Sequence, residues 1–364
     1  MLVFHPLEVL AVDPIAQDAV CLRLAIPRSL REQFKHHAGQ YVSVRRMIDG
    51  REERRTYSIV TAPGAAELRI GVRQQYGGRM SQALARLVRG DELDVGAPPA
   101  GRFRASSGSE RGRVHVAFAA GSGITPVLSL AADILERQPQ SRFTLIYGNR
   151  SMARTMFLED TLALKNRHLG RFSVYFVMSR EPQHAPLLNG RIDAAKVEAL
   201  AARIAEVGEA DEYFVCGPGG MADEVRGAIG RLNPRAPVRA ERFTAAAPAA
   251  AAIDLPESGA AAGPELPAGE VLSEVCVVMD GRRRSFAMSP ADGSVLEAAE
   301  RAGLELPFSC RAGICATCRT KVKAGGATMR HNIALAPWEI EAGFILCCQA
   351  RPLTPSLELS YDEK

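Results

Sequence analysis

A chain of 364 residues exceeds one ordinary core and predicts two or three domains. Its 47% hydrophobic and 24% charged residues describe a globular protein and exclude a disordered one. Forty-five basic against 41 acidic residues leave a net charge of only +4, which gives no nucleic-acid-binding field.

The start, MLVFHPLEVLAVD, lacks a basic region followed by an apolar run and a small-residue cleavage site. No uninterrupted apolar stretch reaches ~18 residues, so no membrane span is expected. Both observations predict a cytoplasmic location.

Residues 1–105 read as short alternating segments: VLAVD, AVCLRLAI, GQYVSVR, RTYSIV and ELRIGVR, parted by Gly and Pro turns. Period-two alternation of this kind predicts an antiparallel barrel. Within it stand Arg55, Tyr57 and Ser58 as R-x-Y-S. Alone, that pattern also describes a strand with an exposed Arg and a cross-strand Tyr. About twenty residues on come Gly77, Gly78, Met80 and Ser81 (GGRMS), then the helical stretch QALARLV. A Gly pair, a Ser and a helix start offer backbone N–H groups and a helix dipole to an anion. A plain capped helix after a turn fits the same residues.

Residues 106–244 alternate apolar strands (VHVAFAA, FTLIYGN, FSVYFVM, EYFVCG) with helical patterns, which predicts a doubly wound, mostly parallel α/β sheet. Gly121, Gly123, Ile124 and Thr125 (GSGITP) follow the first strand and open a helix with apolar Val127, Leu130, Ala131, Ile134 and Leu135. Strand, Gly-rich turn and helix are what phosphate binding needs, although Pro126 replaces a third glycine. Cys216 and Gly217 end the strand EYFVCG, where a cysteine is more often core than functional. The second strand ends in Asn149-Arg150, with no acid to accept from a ribose 2′-OH, and MSREP brings Ser179 and Arg180. Arginines there attract a 2′-phosphate, which favours NADPH over NADH. Exposed loop arginines serving no ligand are the bland reading.

Residues 245–270, rich in Ala, Pro and Gly, predict a linker, with four prolines against a long helix. Residues 271–364 carry short strands, one helix near Ser294–Ala302, and six of the eight cysteines, five of them in the last 55 residues. Cys310, Cys315 and Cys318 form C-x4-C-x2-C, and Cys348 follows thirty residues later. This is plant-type [2Fe–2S] spacing, three ligands on a loop and the fourth from a distant element. Ala312 and Gly313 let the loop wrap closely and aim N–H groups at the sulfurs. A structural zinc site, which usually pairs two C-x2-C units, is the rival. Cys347, Cys21 and Cys276 read as packed thiols.

The motifs R-x-Y-S, G-G-x-x-S, G-x-G-x-T-P, C-G-P and E-x-F occur in this order, and with them the first 243 residues resemble the ferredoxin–NADP reductase superfamily. The last 94 or so are similar to a plant-type ferredoxin of β-grasp fold. The stretches FTLIYGNR, LLNGRID and CRAGICATC look like those of reductase components that feed electrons to a di-iron oxygenase, phenylacetyl-CoA epoxidase in phenylacetate breakdown among them.

The resemblance implies FAD rather than FMN and assigns the roles. Arg55 pairs with a flavin phosphate, Tyr57 stacks on the ring, and Ser58 hydrogen-bonds near its N5. Gly77, Gly78, Met80 and Ser81 hold the flavin phosphates. Gly121, Gly123, Ile124 and Thr125 line the nicotinamide nucleotide, with Arg150, Ser179 and Arg180 at its 2′-phosphate. Cys216 faces the nicotinamide, Gly217 permits the approach, and Glu241 and Phe243 lie close to the flavin ring. Tyr57, Ser58, Cys216 and Glu241 are the implied catalytic set. Where the family has Pro-Gly-Gln, this chain has Ala38-Gly39-Gln40, a change of loop stiffness rather than chemistry. The implied activity takes electrons from NADPH through FAD to the [2Fe–2S] cluster and on to the oxygenase component of a multicomponent monooxygenase. The same motifs would suit a reductase for a steroid hydroxylase or an aromatic ring dioxygenase. A zinc-stabilised nucleotide-binding scaffold is the non-redox rival.

Overall fold

The computed structural model describes residues 3–99, 103–106, 112–243, 273–308, 311–313, 316–332, 334–335 and 337–363. The expected linker, Cys310 and Cys315 lie outside them.

The alternating stretches form β1 (Phe4–Ala16), β2 (Ala19–Ala25), β3 (Tyr41–Ile48), β4 (Arg51–Ser58), β5 (Glu67–Arg73) and β6 (Glu92–Gly96), in the order β4-β3-β6-β1-β2-β5. β1 is long because it serves two neighbours: residues 4–8 pair with β6 and 9–16 with β2, with register breaks at Val9/Ala11 and Pro14/Ala16. Such breaks bend a strand and increase its twist. Past β4 the sheet closes on itself. Ile59 bridges Ile70 of β5, and the Val60 N–H donates to Arg69 O at 2.9 Å. Closure leaves no edge for foreign strands. Leu7, Leu22, Val44, Ile59, Ile70 and Val95 fill the interior and are fully buried. α1 (Arg79–Ala85) sets Met80 and Leu84 onto that core. It starts three residues before the QALARLV stretch, inside the Gly-Gly motif.

The α/β half contains β7 (Val114–Ala120), α2 (Ile124–Arg137), β8 (Arg142–Asn149), α3 (Leu158–Arg167), β9 (Phe172–Met178), α4 (Ala194–Ala201), α5 (Ala205–Glu209), β10 (Glu212–Pro218), α6 (Gly219–Leu232) and β11 (Val238–Phe243). Its five strands are all parallel, in the order β11-β10-β7-β8-β9. The strands read as unbroken apolar runs because both faces are covered. Ala117 and Ala119 of β7 pack with Ile134 and Leu135 of α2, whereas Val116 and Phe118 pack with Val197 of α4 and Val225 of α6.

Barrel residues Ala19, Cys21 and Val60 share one apolar cluster with α2. Asp18, in the turn after β1, adds polar ties. It pairs with Arg73 of β5 at 2.5 Å and also with Arg154 in the segment after β8.

Residues from Ser273 onward fold as a separate unit. β12 (Ser273–Met279) and β13 (Arg282–Met288) form a hairpin whose turn residues, Asp280 and Gly281, both have positive φ. Asp-Gly suits such a turn, whose twist matches that of the strands. After α7 (Val295–Arg301) come β14 (Arg319–Ala324), β15 (Ala327–Met329), α8 (Pro337–Glu341), β16 (Phe344–Leu346), β17 (Ala350–Pro352) and β18 (Ser356–Ser360). The main sheet runs β13-β12-β18-β14-β16, with β18 parallel to β12. α7 lies over it through Val295, Leu296, Ala298 and Ala299. Its start is capped: Ser294 Oγ accepts from Glu297 N–H at 3.3 Å, and Glu297 accepts from the N–H of Gly293, one residue before the cap, at 2.8 Å. Among the described residues, no helix is long and apolar enough to cross a membrane.

Candidate functional site

The first group lies at the end of β4. Arg55 is half-buried, with Nη1 donating to Arg54 O at 2.7 Å. Tyr57 is half-buried against the barrel core, and Ser58 is buried. The Gly-Gly turn is built locally. Gly77 takes φ +70°, in the left-handed region that favours glycine. A Cβ on Gly78 would sit 2.7 Å from Ser81 Oγ. That hydroxyl accepts from Gln75 N–H at 3.1 Å and donates to Gly78 O at 3.0 Å. Ser81 thus fixes the turn, in which the Gly78 N–H donates to Gln75 O and the Gly78 carbonyl also accepts from the Gln82 N–H, each at 3.0 Å.

The second group gathers at the C-terminal ends of the parallel strands. β7 is followed in space by β8 on one side and β10 on the other, so the strand order reverses there. Ligands of open α/β sheets bind at such a point. Gly121 and Gly123 form a single turn between β7 and α2. A Cβ on Gly123 would lie 2.0 Å from Cys216 O, so only hydrogen fits between that turn and β10. Ile124 and Thr125 are buried, and Thr125 Oγ1 donates to Ser122 O at 2.9 Å. Their side chains brace the turn, and the Ile124 N–H closes it onto Gly121 O and Ser122 O. Gly217 is less crowded: its Cβ would meet the flexible end of Met221, Cε, at 2.8 Å and Ala120 Cβ at 3.2 Å.

Arg150 and Arg180, both exposed, emerge side by side from β8 and β9. The Arg180 N–H donates to Arg150 O, and the Ser179 N–H to Asn149 O, each at 2.9 Å. Asn149 is buried, and its Nδ2 has no partner among the described residues.

Cys216 is fully buried and stands opposite Glu241 in the β10–β11 register. Burial first, and the Glu241 charge second, push its thiol well above the usual range. Glu241 Oε2 is shut off from solvent without a hydrogen bond among the described residues, and burial pushes the carboxyl up to about 7. Phe243 closes β11, and its backbone pairs with Pro218.

The raised Glu241 pKa carries a sign. A carboxyl near 4.5 unfolded and about 7 folded binds more protons in the folded state. Its contribution is whole below the unfolded value and is lost as pH climbs through the folded one. Thermal unfolding should therefore show wild-type stability falling between about pH 4.5 and 7 relative to Glu241→Gln, by no more than about 3 kcal/mol. Parallel melting curves for the two proteins across that window would count against a buried proton on Glu241.

The third group is in the C-terminal unit. Cys318, just ahead of β14, and Cys348, between β16 and β17, are 3% and 4% exposed. The neighbouring Cys348 thiol and burial push the Cys318 thiol well above its usual range. Arg311, Gly313 and Ala316 of the loop all have positive φ, at 55°, 71° and 53°. Left-handed residues can turn neighbouring backbone N–H groups to one side, as anion-binding hollows require. Two soft thiols under such a loop fit an anionic iron–sulfur group. Cys347 is fully buried, and burial drives its thiol up to about 12. Cys21 is buried in the barrel, and Cys276 is half-buried on β12.

Two features escaped the sequence reading. Tyr147 is buried in β8, with its hydroxyl 2.9 Å from Gly121 O and 3.1 Å from Met156 O, steadying the Gly-rich turn from below. Nothing in an apolar strand marks one tyrosine for that task. Gly71 did leave a signal, as a lone glycine inside a strand. Its Cβ would lie 2.6 Å from Phe157 Cε2 and 2.9 Å from Thr125 Cγ2, so its absence lets the nucleotide half approach the barrel.

Three family models match in chain order: an oxidoreductase FAD-binding domain over residues 6–104, an oxidoreductase NAD-binding domain over 118–227, and a 2Fe-2S iron-sulfur cluster binding domain over 277–353. The chain is 36% identical over 367 residues to one of the subunits of 1,2-phenylacetyl-CoA epoxidase from Escherichia coli K12, covering 100% of this chain and 99% of that protein. It is 30% identical to the ferredoxin reductase component of 3-ketosteroid-9-alpha-monooxygenase from Rhodococcus rhodochrous, covering 98% and 96%. Among solved structures, phthalate dioxygenase reductase covers 98% of both chains with a TM-score of 0.57 at 22% identity, a likeness of fold.

Proposed function

The chain belongs to the family of reductase components of multicomponent oxygenases, with FAD-binding, NAD-binding and [2Fe–2S] domains, and we propose that it draws electrons from NADPH for a di-iron oxygenase acting on phenylacetyl-CoA. Bound FAD turns a two-electron donor into single electrons, and the [2Fe–2S] cluster carries them one at a time. The chain's own work is binding and positioning.

In this reading Arg55 holds a flavin phosphate through its guanidinium fork, and the ring lies against Tyr57 with Ser58 beside it. The peptide groups of Gly77, Met80 and Ser81 take the flavin phosphates, on a turn that the Gly78 N–H closes onto Gln75 O. Gly121, Gly123 and Thr125 offer backbone N–H groups to the dinucleotide, and Ile124, whose own N–H closes the turn, lines the site. Cys216 and Gly217 shape the nicotinamide pocket, with Glu241 and Phe243 closing its flavin side. Cys310, Cys315, Cys318 and Cys348 ligate the cluster. We assign residues 1–105 to the flavin barrel, 106–244 to the nucleotide domain, 245–270 to a linker and 271–364 to the ferredoxin domain. Free cysteines at all six described positions suit the cytoplasm.

The observation that carries the NADPH reading is the pairing of Arg150 with Arg180, joined by Ser179, at adjacent strand ends. Two guanidinium groups and a hydroxyl suit a 2′-phosphate. Losing charge-assisted hydrogen bonds costs about 1.5–3 kcal/mol, so Arg150→Ala with Arg180→Ala should raise the KM for NADPH roughly 10–100-fold. The KM for NADH should stay within about twofold, since that nucleotide has no 2′-phosphate to lose contact with. Equal losses for both nucleotides would remove the phosphate assignment. The partner reading rests on the full-length match to a component of the epoxidase.

The test of the whole is the visible spectrum of the purified protein before and after anaerobic NADPH, followed by turnover with purified oxygenases. Flavin and [2Fe–2S] bands that bleach, with coupled turnover of phenylacetyl-CoA, support the reading. A colourless, zinc-bearing protein would end it. Bleaching with turnover only by a steroid hydroxylase or a ring dioxygenase would move it to another oxygenase.

A further inference from the structure

Gln349 follows Cys348 and is 5% exposed. Its backbone is fixed on both sides: its N–H donates to Leu346 O at 2.9 Å, and its carbonyl accepts from Arg330 N–H at 3.0 Å. Its side chain runs beneath the cysteine loop, where a Cβ on Gly313 would lie 3.1 Å from Gln349 Cγ. Gln349 Nε2 stands 2.8 Å from Arg311 O and 3.6 Å from Cys348 Sγ. The carbonyl settles which end of the amide is which, since a carbonyl oxygen needs a donor. An NH2 group has two hydrogens, and here each has an acceptor.

We propose that Gln349 is a positioning residue for the iron–sulfur group: one side-chain N–H ties the three-cysteine loop to the turn bearing the fourth cysteine, and the other donates to the Cys348 sulfur and raises the cluster's reduction potential. A cysteine loop and its distant fourth ligand must keep a fixed separation to share one cluster. The amide spans that gap through Arg311 O, so the loop is braced by a side chain as well as by its own turns. A donor to a ligating sulfur stabilises the reduced state, which carries one more negative charge. With the carbonyl and sulfur on the same NH2 group, the loop's position and the cluster's potential depend on one residue. This inference rests on the reading of Cys348 as a ligand.

The experiment is a potentiometric titration of the holoprotein, following the electron paramagnetic resonance signal of the reduced cluster. Gln349→Met keeps the length of the side chain and removes both donors. The expected result is a midpoint potential shifted to more negative values, with iron and sulfide content retained. A wild-type potential in Gln349→Met overturns the proposal. Gln349→Leu is the second donor-free variant, and a wild-type potential there overturns it equally. Loss of the cluster from both variants, with the C-terminal unit still folded by circular dichroism, supports the bracing role. Cys348→Ser separates the two levels. If it keeps its cluster, the premise fails; if it loses the cluster while Gln349→Met titrates like wild type, only the inference fails.

Discussion

Cys348→Ser is expected to abolish the iron–sulfur cluster and leave the flavin half working. The fold gives the reason. Thirty residues separate Cys318 from Cys348, yet β14 and β16 pair antiparallel with Arg319 opposite Leu346, and Cys347 N–H donates to Cys318 O at 3.1 Å. That ladder sets the two thiols side by side in a nearly dry pocket. A serine hydroxyl there is a poor ligand at neutral pH, because soft thiolates hold these clusters and an alkoxide does not form readily. Iron and acid-labile sulfide should drop to background and the [2Fe–2S] bands vanish. NADPH-dependent reduction of ferricyanide should persist, since it needs only the flavin, while transfer to the oxygenase stops. Cys318→Ser should behave alike. Cys347→Ala is the contrast: its thiol is fully buried core, so truncation should cost about 1 kcal/mol and leave the cluster in place. Loss of cluster from Cys347→Ala with retention in Cys348→Ser would transfer the ligand role to the neighbouring residue.

How much of this was legible in the sequence depends on whether a signal runs along the chain or across it. Period-two stretches located the barrel strands, and doubly buried apolar runs located β7 to β10, because burial of one or two faces writes itself into residue order. Spacing alone placed the Gly121–Thr125 turn and the cysteine loop, since both are single local segments. The sequence also singled out Arg150 and Arg180. It could not set them side by side; that required β8 and β9 to be parallel neighbours. Contacts across the chain left no periodic trace. Tyr147 reaches Gly121 across 26 positions, Gln349 reaches Arg311 across 38, and Asp18 reaches Arg154 across 136. Each depends on strand order, which topology supplies and composition does not. β1 shows the same limit within one element: VLAVD is visible, but the breaks that let one strand serve two neighbours are not.

Gly123→Ala should damage nucleotide binding more than any other alanine substitution in the Gly-rich turn. Gly123 has φ −60° and ψ −10°, ordinary right-handed helical values that alanine adopts freely. Backbone strain is therefore not the obstacle. The obstacle is space: the new Cβ would lie 2.0 Å from Cys216 O, 2.5 Å from its carbonyl carbon and 3.0 Å from Gly217 N. All three are main-chain atoms of β10, so no side chain can swing aside. Ordinary contact requires the turn and the strand end to part by more than 1 Å, at the place we propose for the nicotinamide. Overpacking of this kind costs typically 1–3 kcal/mol, and an ångström of misplacement can cost about 10²-fold in rate. The expected result is a Tm lower by several degrees, a kcat/KM for NADPH down roughly 100-fold, and an unchanged flavin content. Two substitutions bracket the argument. Gly121 has φ +55° but open space around its missing Cβ, with Arg73 Nη2 nearest at 3.9 Å, so Gly121→Ala should cost only about 1 kcal/mol of backbone strain. Gly230 lies within α6 with nothing within 4 Å, so Gly230→Ala should stabilise by about 0.5–1 kcal/mol through helix propensity. If all three proteins bound NADPH and melted alike, the tight approach of the turn to Cys216 would have no part in shaping the site.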